Sequence, residues 1–252
     1  MRSEGAEYGN WVSVRFIVVP TAVAIPFAVG AACVPGLGLV AALFLLTAAY
    51  FTYARRVLSP RGRRVQDRMV DLVLSRFPGA DWEGRVLDIG CGSGALAIRI
   101  AKLHPRAAVL GVDTWGAAWG SSQRLCERNV EAEGVGERVS FESASAASLP
   151  FDDGSFDAVV SNLVFHEVHG VRDKRRLLAE ALRVLRPGGV FVFQDLFLWR
   201  RIYGPIDDLL EEMRGWGLGK VELVDTSRSS FIPTALKLPF MLGAAGILYG
   251  RK

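Results

Sequence analysis

The stretch that decides the fold is Val86-Leu-Asp-Ile-Gly-Cys-Gly-Ser-Gly94, a short apolar run that leads into three closely spaced glycines. An apolar run that ends in such a turn and is followed by helical spacing is typical of a parallel strand passing into a helix. Glycine is required where the backbone approaches a ligand, and the amide groups at the start of the next helix can bind it. The sequence therefore predicts a ligand site at this turn.

Outward from the turn, strands alternate with amphipathic helices over most of the chain. Strands separated by crossover helices form a parallel sheet. We therefore predict an α/β, doubly wound, mostly parallel seven-stranded sheet of Rossmann-like type over residues 65–252. The predicted strands are 85–90, 107–113, 139–143, 156–162, 190–194, 220–224 and 246–249, and the predicted helices are 64–77, 94–103, 121–133, 174–185 and 206–216.

Two carboxylates narrow the choice of ligand at the turn. With Ala95 in the third small position, the turn also fits the dinucleotide-binding pattern, so an NAD(P)-dependent reductase is an alternative. Asp88 would repel a pyrophosphate but attract a cationic amino acid group. Asp113 lies 23 residues after Gly90, where a carboxylate can accept both hydroxyls of a ribose. The pair favours a ligand that is both a nucleoside and an amino acid.

Four ordered motifs resemble those of class I S-adenosylmethionine-dependent methyltransferases. They are Val86–Gly94, Gly111-Val-Asp113, Leu149-Pro-Phe-Asp-Asp-Gly-Ser-Phe-Asp157 and Leu185-Arg-Pro-Gly-Gly189. The similarity covers roughly residues 65 to 252, and the branch it most resembles is methyltransferase type 11, which includes quinone-biosynthesis and small-molecule enzymes. The resemblance implies S-adenosyl-L-methionine as the cofactor and a small-molecule acceptor as the partner.

The resemblance also implies roles for particular residues. Asp88 would face the methionine amino group across the turn, Asp113 would hold the ribose, and Ser145 would stand where family members often carry an acid that binds adenine. The implied cofactor-binding residues are Asp88, Gly90, Cys91, Gly92, Gly94, Asp113, Thr114 and Trp115, which lie at the first two strands, and Ser145, Ala146, Asn162 and Leu163, which follow later strands.

Candidates for proton removal follow the fourth predicted strand, in Asn162-Leu-Val-Phe-His-Glu-Val-His169. The carboxyl ends of parallel strands are where such sheets bind ligands. We interpret His166 as a general base that Glu167 orients, with Asp195 as a second candidate base. The alternative is that these side chains cap the following helix or order the loop.

A different pattern occupies the N-terminal part of the chain. From Phe16 to Ala54 no side chain is charged, and Pro35-Gly-Leu-Gly38 divides the run into arms of 19 and 18 residues. At about 1.5 Å per residue each arm covers roughly 27 to 29 Å, close to the hydrocarbon thickness of a bilayer. We predict an N-terminal tail at 1–10, a two-helix transmembrane hairpin at 11–54 and a basic juxtamembrane linker at 55–64. A buried helical hairpin that caps a soluble enzyme is the alternative.

Charge sets the predicted orientation of this hairpin. Six arginines lie between Arg55 and Arg68 against one acid, Asp67. Because basic residues collect on the cytoplasmic side of a membrane, we place the catalytic domain in the cytoplasm at the inner (cytoplasmic) membrane. A hairpin in the lipid bilayer would favour a lipophilic acceptor, such as a quinone precursor, a lipid or a polyketide. A non-catalytic membrane protein that binds S-adenosylmethionine is the competing interpretation.

Composition excludes several other classes. With 50% hydrophobic and 22% charged residues the chain is not disordered. Its three cysteines lack a CxxC pair, which predicts neither a disulfide framework nor a metal site. Ser161-Asn-Leu-Val stands where an Asn/Asp-Pro-Pro-aromatic motif for a flipped base would be, so we expect no nucleic-acid partner. The pattern makes no prediction of oligomeric state.

Overall fold

The computed structural model describes residues 5–59, 64–79, 81–116 and 121–252. The chain forms two compact units. The helical unit comprises Gly9–Arg68 and Gly116–Gly120, and the sheet unit comprises Met1–Tyr8, Met69–Trp115 and Ser121–Lys252. The sheet unit therefore includes a segment that precedes the helical unit in the chain. The predicted tail and basic linker fall partly on residues 1–4 and 60–63, which lie outside the described residues.

The sheet unit is built on one seven-stranded sheet with the order β3-β2-β1-β4-β5-β7-β6. All neighbouring strands are parallel except β7, which runs antiparallel to β5 and β6. The predicted Rossmann-like α/β sheet is thus confirmed. Its strands are β1 (Gly84–Ile89), β2 (Ala107–Asp113), β3 (Val139–Ser143), β4 (Phe156–Asn162), β5 (Leu185–Asp195), β6 (Lys220–Asp225) and β7 (Gly246–Arg251).

Helices cover both faces of this sheet. Leu96 and Ile98 of α4 pack with Val86 of β1 on one face, whereas Leu177 and Leu178 of α6 pack on the other. The helices are α1 (Arg15–Gly30), α2 (Leu37–Leu58), α3 (Val65–Leu74), α4 (Ala95–Leu103), α5 (Gln123–Glu133), α6 (Arg175–Arg183), α7 (Arg200–Tyr203) and α8 (Ile206–Gly215), with 3₁₀ turns at Phe165–Glu167 and Thr234–Leu236.

The start of β5 differs from the sequence prediction. The sequence predicted a strand at 190–194, but β5 already begins at Leu185. The ladder shifts register opposite Phe156 and Ala158, and Gly188 takes up a φ of +75°. A register shift of this kind leaves the inserted residues, 186–189, without partners on β4. The sequence prediction began the strand at 190 because Pro and Gly usually mark a turn.

In the helical unit, α1 and α2 form an antiparallel hairpin. Phe16 stacks on Phe51 at 5.0 Å between ring centroids, and Phe27 stacks on Phe44 at 6.1 Å. The base is closed by the Asn10 side-chain amide, which donates to the Arg55 carbonyl at 2.8 Å. By length and composition α2 is able to cross a membrane, whereas α1, with 16 residues, is shorter. The transmembrane character of both arms stays a prediction.

The outward face of the hairpin is apolar. Val29 is 71% exposed, Leu39 78% and Leu46 68%. Among the described residues, small side chains are buried along the two helices at Ala24, Ala41, Ala48 and Ala54, and the larger Val57 and Leu58 are buried at the end of α2. The contact between the two helices thus combines small buried residues with stacked phenylalanine rings, while large apolar residues lie outside.

Candidate functional site

The glycine turn joins β1 to α4 in a conformation that glycine favours. Gly90, Gly92 and Gly94 have φ values of +71°, +56° and +81°. A Cβ atom on Gly90 would lie 2.3 Å from both methyl groups of Val164, so no larger residue fits there. A Cβ atom on Gly92 would meet nothing within 4 Å. Gly92 therefore leaves its backbone open to the approach of a ligand.

Hydrogen bonds hold this turn on three sides. The Gly92 amide donates to Asp113 Oδ2 at 2.9 Å, and the Gly92 carbonyl accepts from Trp115 Nε1 at 2.9 Å and from Cys126 Sγ at 3.1 Å. Cys91 takes part through its backbone amide, which donates to Val112 O at 3.0 Å. Burial raises the pKa of the Cys91 thiol, so this side chain stays protonated and unreactive.

Asp88 lies beneath the turn and is 1% exposed. Its Oδ2 accepts a hydrogen bond from the Ala97 amide at 3.1 Å. Burial raises the pKa of Asp88 to about 8, against the lowering effect of the Ala97 bond and with a further increase from Asp113. Without a cation beside it, this carboxyl is therefore mostly neutral at pH 7. An ammonium group in the site would favour the ionised form.

Asp113 ends β2 and is held in place by the backbone. Besides the bond from Gly92, its Oδ1 accepts from the Trp115 amide at 2.8 Å. A carboxylate has about four lone-pair positions, so two remain for ribose hydroxyls. Thr114 is exposed beside it, and the Trp115 indole lies against the turn rather than projecting freely. The structure thus brings the predicted ribose and adenine residues together at one edge.

The loop after β3 reaches the same edge. The Ala144 amide donates to the Asp113 carbonyl at 3.1 Å, which fixes Ser145 and Ala146 close to β2. The Ser145 hydroxyl accepts from the Ala147 amide at 3.2 Å, and Ala146 is buried. This serine still has lone-pair capacity for an adenine amine.

Asn162 ends β4, and Leu163 follows it. Leu163 has a φ of +58°, and its amide donates to the Gln194 carbonyl at 2.7 Å. Asn162 Oδ1 and both amide atoms of Gln194 are buried without a hydrogen-bond partner among the described residues. Buried polar atoms without a hydrogen-bond partner are rare in folded proteins, and a bound ligand or water could supply the partner.

His166 and Asp195 form a close pair at the ends of β4 and β5. His166 Nδ1 lies 2.8 Å from Asp195 Oδ1, and the Asp195 side chain is fully buried. Asp195 Oδ2 also accepts from the Val164 amide at 3.1 Å. Glu167, which the sequence suggested as the orienting residue, is instead exposed and lies 3.6 Å from the other ring nitrogen, Nε2. Asp195 thus has the position expected of the orienting group rather than of a separate base.

The charges around His166 favour the protonated form of its imidazole. Burial is the largest single influence on His166 and disfavours the imidazolium. The charge and hydrogen bond of Asp195, together with the charge of Glu167, outweigh it and raise the pKa of His166 above its ordinary value of 6.5. Burial likewise disfavours ionised Asp195, yet the charge of His166 and its hydrogen bond lower the pKa of Asp195. Since a carboxylate on Nδ1 fixes the proton there, neutral His166 presents a lone pair on Nε2.

The sequence analysis missed two residues next to this pair. Tyr203 of α7 is 1% exposed, and burial together with the adjacent Asp195 raises the pKa of its hydroxyl well above the usual value. Gln194 precedes Asp195 in β5 and faces the opposite side of the sheet. No spacing pattern could have signalled Tyr203, because it reaches Asp195 only through the tertiary fold.

Comparison with known proteins decides the family. Residues 87–193 match the model of a family described as a methyltransferase domain. Demethylmenaquinone methyltransferase of Thermus thermophilus is 36% identical over 193 residues, which cover 73% of this chain and 80% of that protein. The chain belongs to the class I S-adenosylmethionine-dependent methyltransferases.

This methyltransferase is similar to several further proteins over a shorter length. It is 36% identical to 27-O-demethylrifamycin SV methyltransferase of Amycolatopsis mediterranei, over 56% of this chain and 48% of that protein. It is 31% identical to an uncharacterized protein of Haemophilus influenzae, over 62% of this chain and 57% of that protein. The chain thus spans about half the length of these two relatives.

Solved structures share the fold of the methyltransferase. The cyclase SpnF superposes with a TM-score of 0.57 at 23% identity, covering 75% of this chain and 82% of that one. Geranyl diphosphate C-methyltransferase of Streptomyces coelicolor A3(2) also has a TM-score of 0.57, at 17% identity, covering 75% and 79%. These similarities concern architecture alone.

Family membership confirms S-adenosylmethionine as the cofactor, in preference to a nicotinamide nucleotide. The site fits it, because Gly92 is open, Asp88 offers a carboxyl to the amino group, and Asp113 keeps lone pairs for the ribose. Within the described ranges, no group of three His, Cys, Asp or Glu side chains is arranged to hold a metal ion.

Proposed function

We propose that this chain is a membrane-anchored methyltransferase that methylates a small lipophilic acceptor, with His166 as the general base. The observation that carries the proposal is the contact of His166 Nδ1 with the fully buried Asp195 side chain. The other ring nitrogen of His166, Nε2, is therefore directed away from Asp195. An acceptor hydroxyl or carbon acid needs its proton removed as the new bond forms. An oriented imidazole supplies that function.

The base lies close to the cofactor turn. Val164 is two residues before His166, its amide is bonded to Asp195, and it packs so closely on Gly90 that a Cβ atom there would clash. The loop that holds the base therefore rests directly on the turn that binds the cofactor. Proximity of this kind supports direct transfer, because methyl transfer depends mainly on holding the nucleophile in line.

When bound, S-adenosylmethionine would supply a methyl carbon on a sulfonium sulfur. An acceptor atom held in line would bond to that carbon, and the carbon–sulfur electron pair would stay with the sulfur. His166 Nε2 takes the acceptor proton, and Asp195 stabilises the imidazolium that results. Buried Tyr203 stays protonated and holds a hydroxyl beside Asp195. No covalent bond to the protein is needed.

The helical unit supports the membrane part of the proposal. Helix α2 has 22 residues with mean hydropathy 1.9, and only 17% of its apolar window is buried. At about 1.5 Å per residue it is roughly 33 Å long, enough to cross the hydrocarbon core. Large side chains on its outer face, such as Leu39 and Leu43, are exposed and would contact water if the helix did not lie in a bilayer. A surface of this kind favours a bilayer.

The chain order supports a hairpin rather than a single crossing. The described part of Met1–Tyr8 is hydrogen-bonded within the sheet unit, and the sheet unit resumes after the hairpin. One crossing by α2 alone would place these two parts on opposite sides of the membrane. The hairpin must therefore enter and leave on the same side, by two crossings or by partial insertion. The arginines at its base, Arg55 and Arg56, favour the cytoplasmic side.

The chemistry of the acceptor follows from this placement and from one relative. A catalytic unit tethered to a bilayer meets acceptors that partition into lipid. The Thermus relative is named for action on demethylmenaquinone, a lipid-soluble quinone. We therefore propose an acceptor with an acidic hydroxyl or ring carbon and an apolar tail, in the class of isoprenoid quinone precursors.

The test uses the full-length protein in membranes with S-adenosylmethionine carrying an isotopically labelled methyl group. Lipid and aqueous extracts are then searched separately for the label by mass spectrometry. We expect label in a lipid-soluble product with the wild type and with His169→Ala, whose side chain is exposed in the same loop. We expect little with His166→Ala. Label confined to aqueous products would overturn the lipophilic acceptor, and cofactor binding without any transfer would favour a non-catalytic protein.

A further inference from the structure

A short N-terminal segment, Gly5–Tyr8, is hydrogen-bonded to the sheet unit, and we call it the strap. The Glu7 amide donates to Asn129 Oδ1 at 2.7 Å, and the Glu7 carbonyl accepts from Asn129 Nδ2 at 2.8 Å. The Tyr8 hydroxyl donates to Glu133 Oε1 at 3.0 Å. Both partners lie on α5, so the strap runs along that helix.

Asn129 links the strap to the cofactor turn. It is fully buried, and its Nδ2 donates both to Glu7 O and to Ser93 O, at 2.8 and 2.9 Å. Ser93 lies between Gly92 and Gly94 of the turn. One buried amide thus joins two backbone segments that are far apart in the sequence.

A second bond joins the strap to the turn directly. The Ser93 hydroxyl donates to the Tyr8 carbonyl at 2.9 Å. Ser93 is 9% exposed, so this bond is shielded from water. The strap therefore contacts the turn directly at Ser93.

We propose that the strap is part of the cofactor site and that Ser93 and Asn129 are positioning residues for S-adenosylmethionine. A turn with three glycines has many conformations when it is free, and a ligand that selects one of them loses affinity. The strap holds Ser93 directly through its hydroxyl, and indirectly through Asn129, which donates to the Ser93 carbonyl. The turn is thereby ordered when the protein folds rather than when the cofactor binds.

Thermodynamic linkage makes the effect reciprocal. If the docked strap increases the affinity for the cofactor by some factor, bound cofactor must stabilise the docked strap by the same factor. The Glu7 amide, which is bonded to Asn129, reports on docking through its rate of hydrogen exchange. The same interaction can therefore be measured from either end.

The first test compares two substitutions at Glu7, whose side chain is exposed. Glu7→Pro removes the amide that donates to Asn129, whereas Glu7→Ala removes the same side chain and keeps that amide. By calorimetric titration of the full-length protein, we expect Glu7→Pro to raise the Kd for S-adenosylmethionine about threefold to tenfold, the effect of one hydrogen bond. We expect Glu7→Ala to bind as the wild type does. Equal Kd values for all three would overturn the proposal.

The second test does not depend on a variant that might misfold. Hydrogen exchange at Glu7 and Tyr8 is followed in the wild type with and without S-adenosylhomocysteine. We expect slower exchange with the ligand, and Ser93→Ala should reduce that protection. Unchanged exchange on ligand binding would contradict the role of the strap. Neither test uses an acceptor or a membrane, so failure here is distinct from failure of the proposed function.

Discussion

The pairing of His166 with Asp195 predicts how the reaction depends on pH. A general base must be neutral, so kcat should fall as pH drops through the pKa of His166, which the Asp195 carboxylate raises above 6.5 in spite of burial. His166→Ala should lower kcat by about a hundredfold or more, the usual contribution of such a base. Rate profiles at saturating cofactor and acceptor measure both effects.

Asp195→Asn provides the control for this prediction. Removing the carboxylate removes the group that raises the pKa of His166, so the acidic fall in kcat should move to lower pH. The Kd for S-adenosylmethionine should stay close to that of the wild type. A wild-type profile that is flat on the acidic side would count against His166 as the base.

Asp88 predicts that cofactor binding is coupled to proton release. Burial raises its pKa to about 8, so the carboxyl is protonated near neutral pH and must ionise to pair with an ammonium group. Affinity for S-adenosylmethionine should increase from pH 6 to pH 8, by at most about tenfold per pH unit. Calorimetry in two buffers with different ionisation enthalpies measures the released proton. Asp88→Asn should bind weakly and without this pH dependence.

The raised pKa of Asp88 also predicts how the stability of the folded protein depends on pH. The folded-state pKa of about 8 lies above the ordinary value of 3.8, so the unfolded chain loses this proton at lower pH than the folded one. Asp88 therefore favours folding below about pH 4, and this contribution is lost as pH rises through 8. Urea titrations of the ligand-free protein should show it. A wild type and an Asp88→Asn variant with parallel pH profiles would contradict it.

At the scale of residues, the sequence indicated which side chains belong to the site better than it indicated which of them contact each other. Asp88 and Asp113 were recognisable because strand and turn spacing place them at a sheet edge, and the structure brings them together. The contact between Asp195 and His166 joins residues 29 apart in the chain, and no periodicity distinguishes Asp195 from Glu167 as the partner. Such pairing depends on how two strand ends approach each other, which local sequence does not encode.

At the scale of elements, most helices and strands could be read from periodicity alone. Strands β2, β3 and β4 begin and end where the apolar alternation placed them. Helix α1 ends at Gly30, earlier than the apolar run to Val34, because its last residues form the turn that leads to Pro35. Hydropathy measures how apolar a segment is but does not locate where its helix stops.

A pair of substitutions in the hairpin tests whether its outer face contacts lipid or water. Leu43 and Leu46 of α2 are 64% and 68% exposed. In water, lysine at both positions should change stability little, since exposed sites tolerate substitution. Near the bilayer centre each charge costs about 2.5 to 3.5 kcal/mol. We expect the double lysine variant to lose flotation with liposomes while keeping its affinity for S-adenosylmethionine.

An apolar pair of substitutions serves as the control. Leu43→Ile with Leu46→Ile keeps the outer face apolar and should float with liposomes as the wild type does. If the lysine variant also floats, the helical unit is not inserted at this depth.

At the scale of the whole molecule, the cysteines report how the chain crosses the membrane. Cys33 is exposed between α1 and α2, whereas Cys91 and Cys126 are buried in the sheet unit. If both helices cross, a membrane-impermeant maleimide should label Cys33 only from the side opposite the catalytic unit. Oriented vesicles, with Cys33→Ser as the background, measure this. Labelling from the catalytic side would indicate a hairpin that inserts only part of the way.

The strand order has a consequence for biosynthesis. β7 is the last strand in chain order, yet it lies between β5 and β6 and hydrogen-bonds to both. On the ribosome the apolar helices emerge long before this strand does, and domains are completed only when their parts are available. If the hairpin enters a bilayer as proposed, delivery of the nascent chain would therefore precede completion of the catalytic fold. Chaperones that act on the translating protein would meet a sheet that still lacks the strand joining β5 to β6.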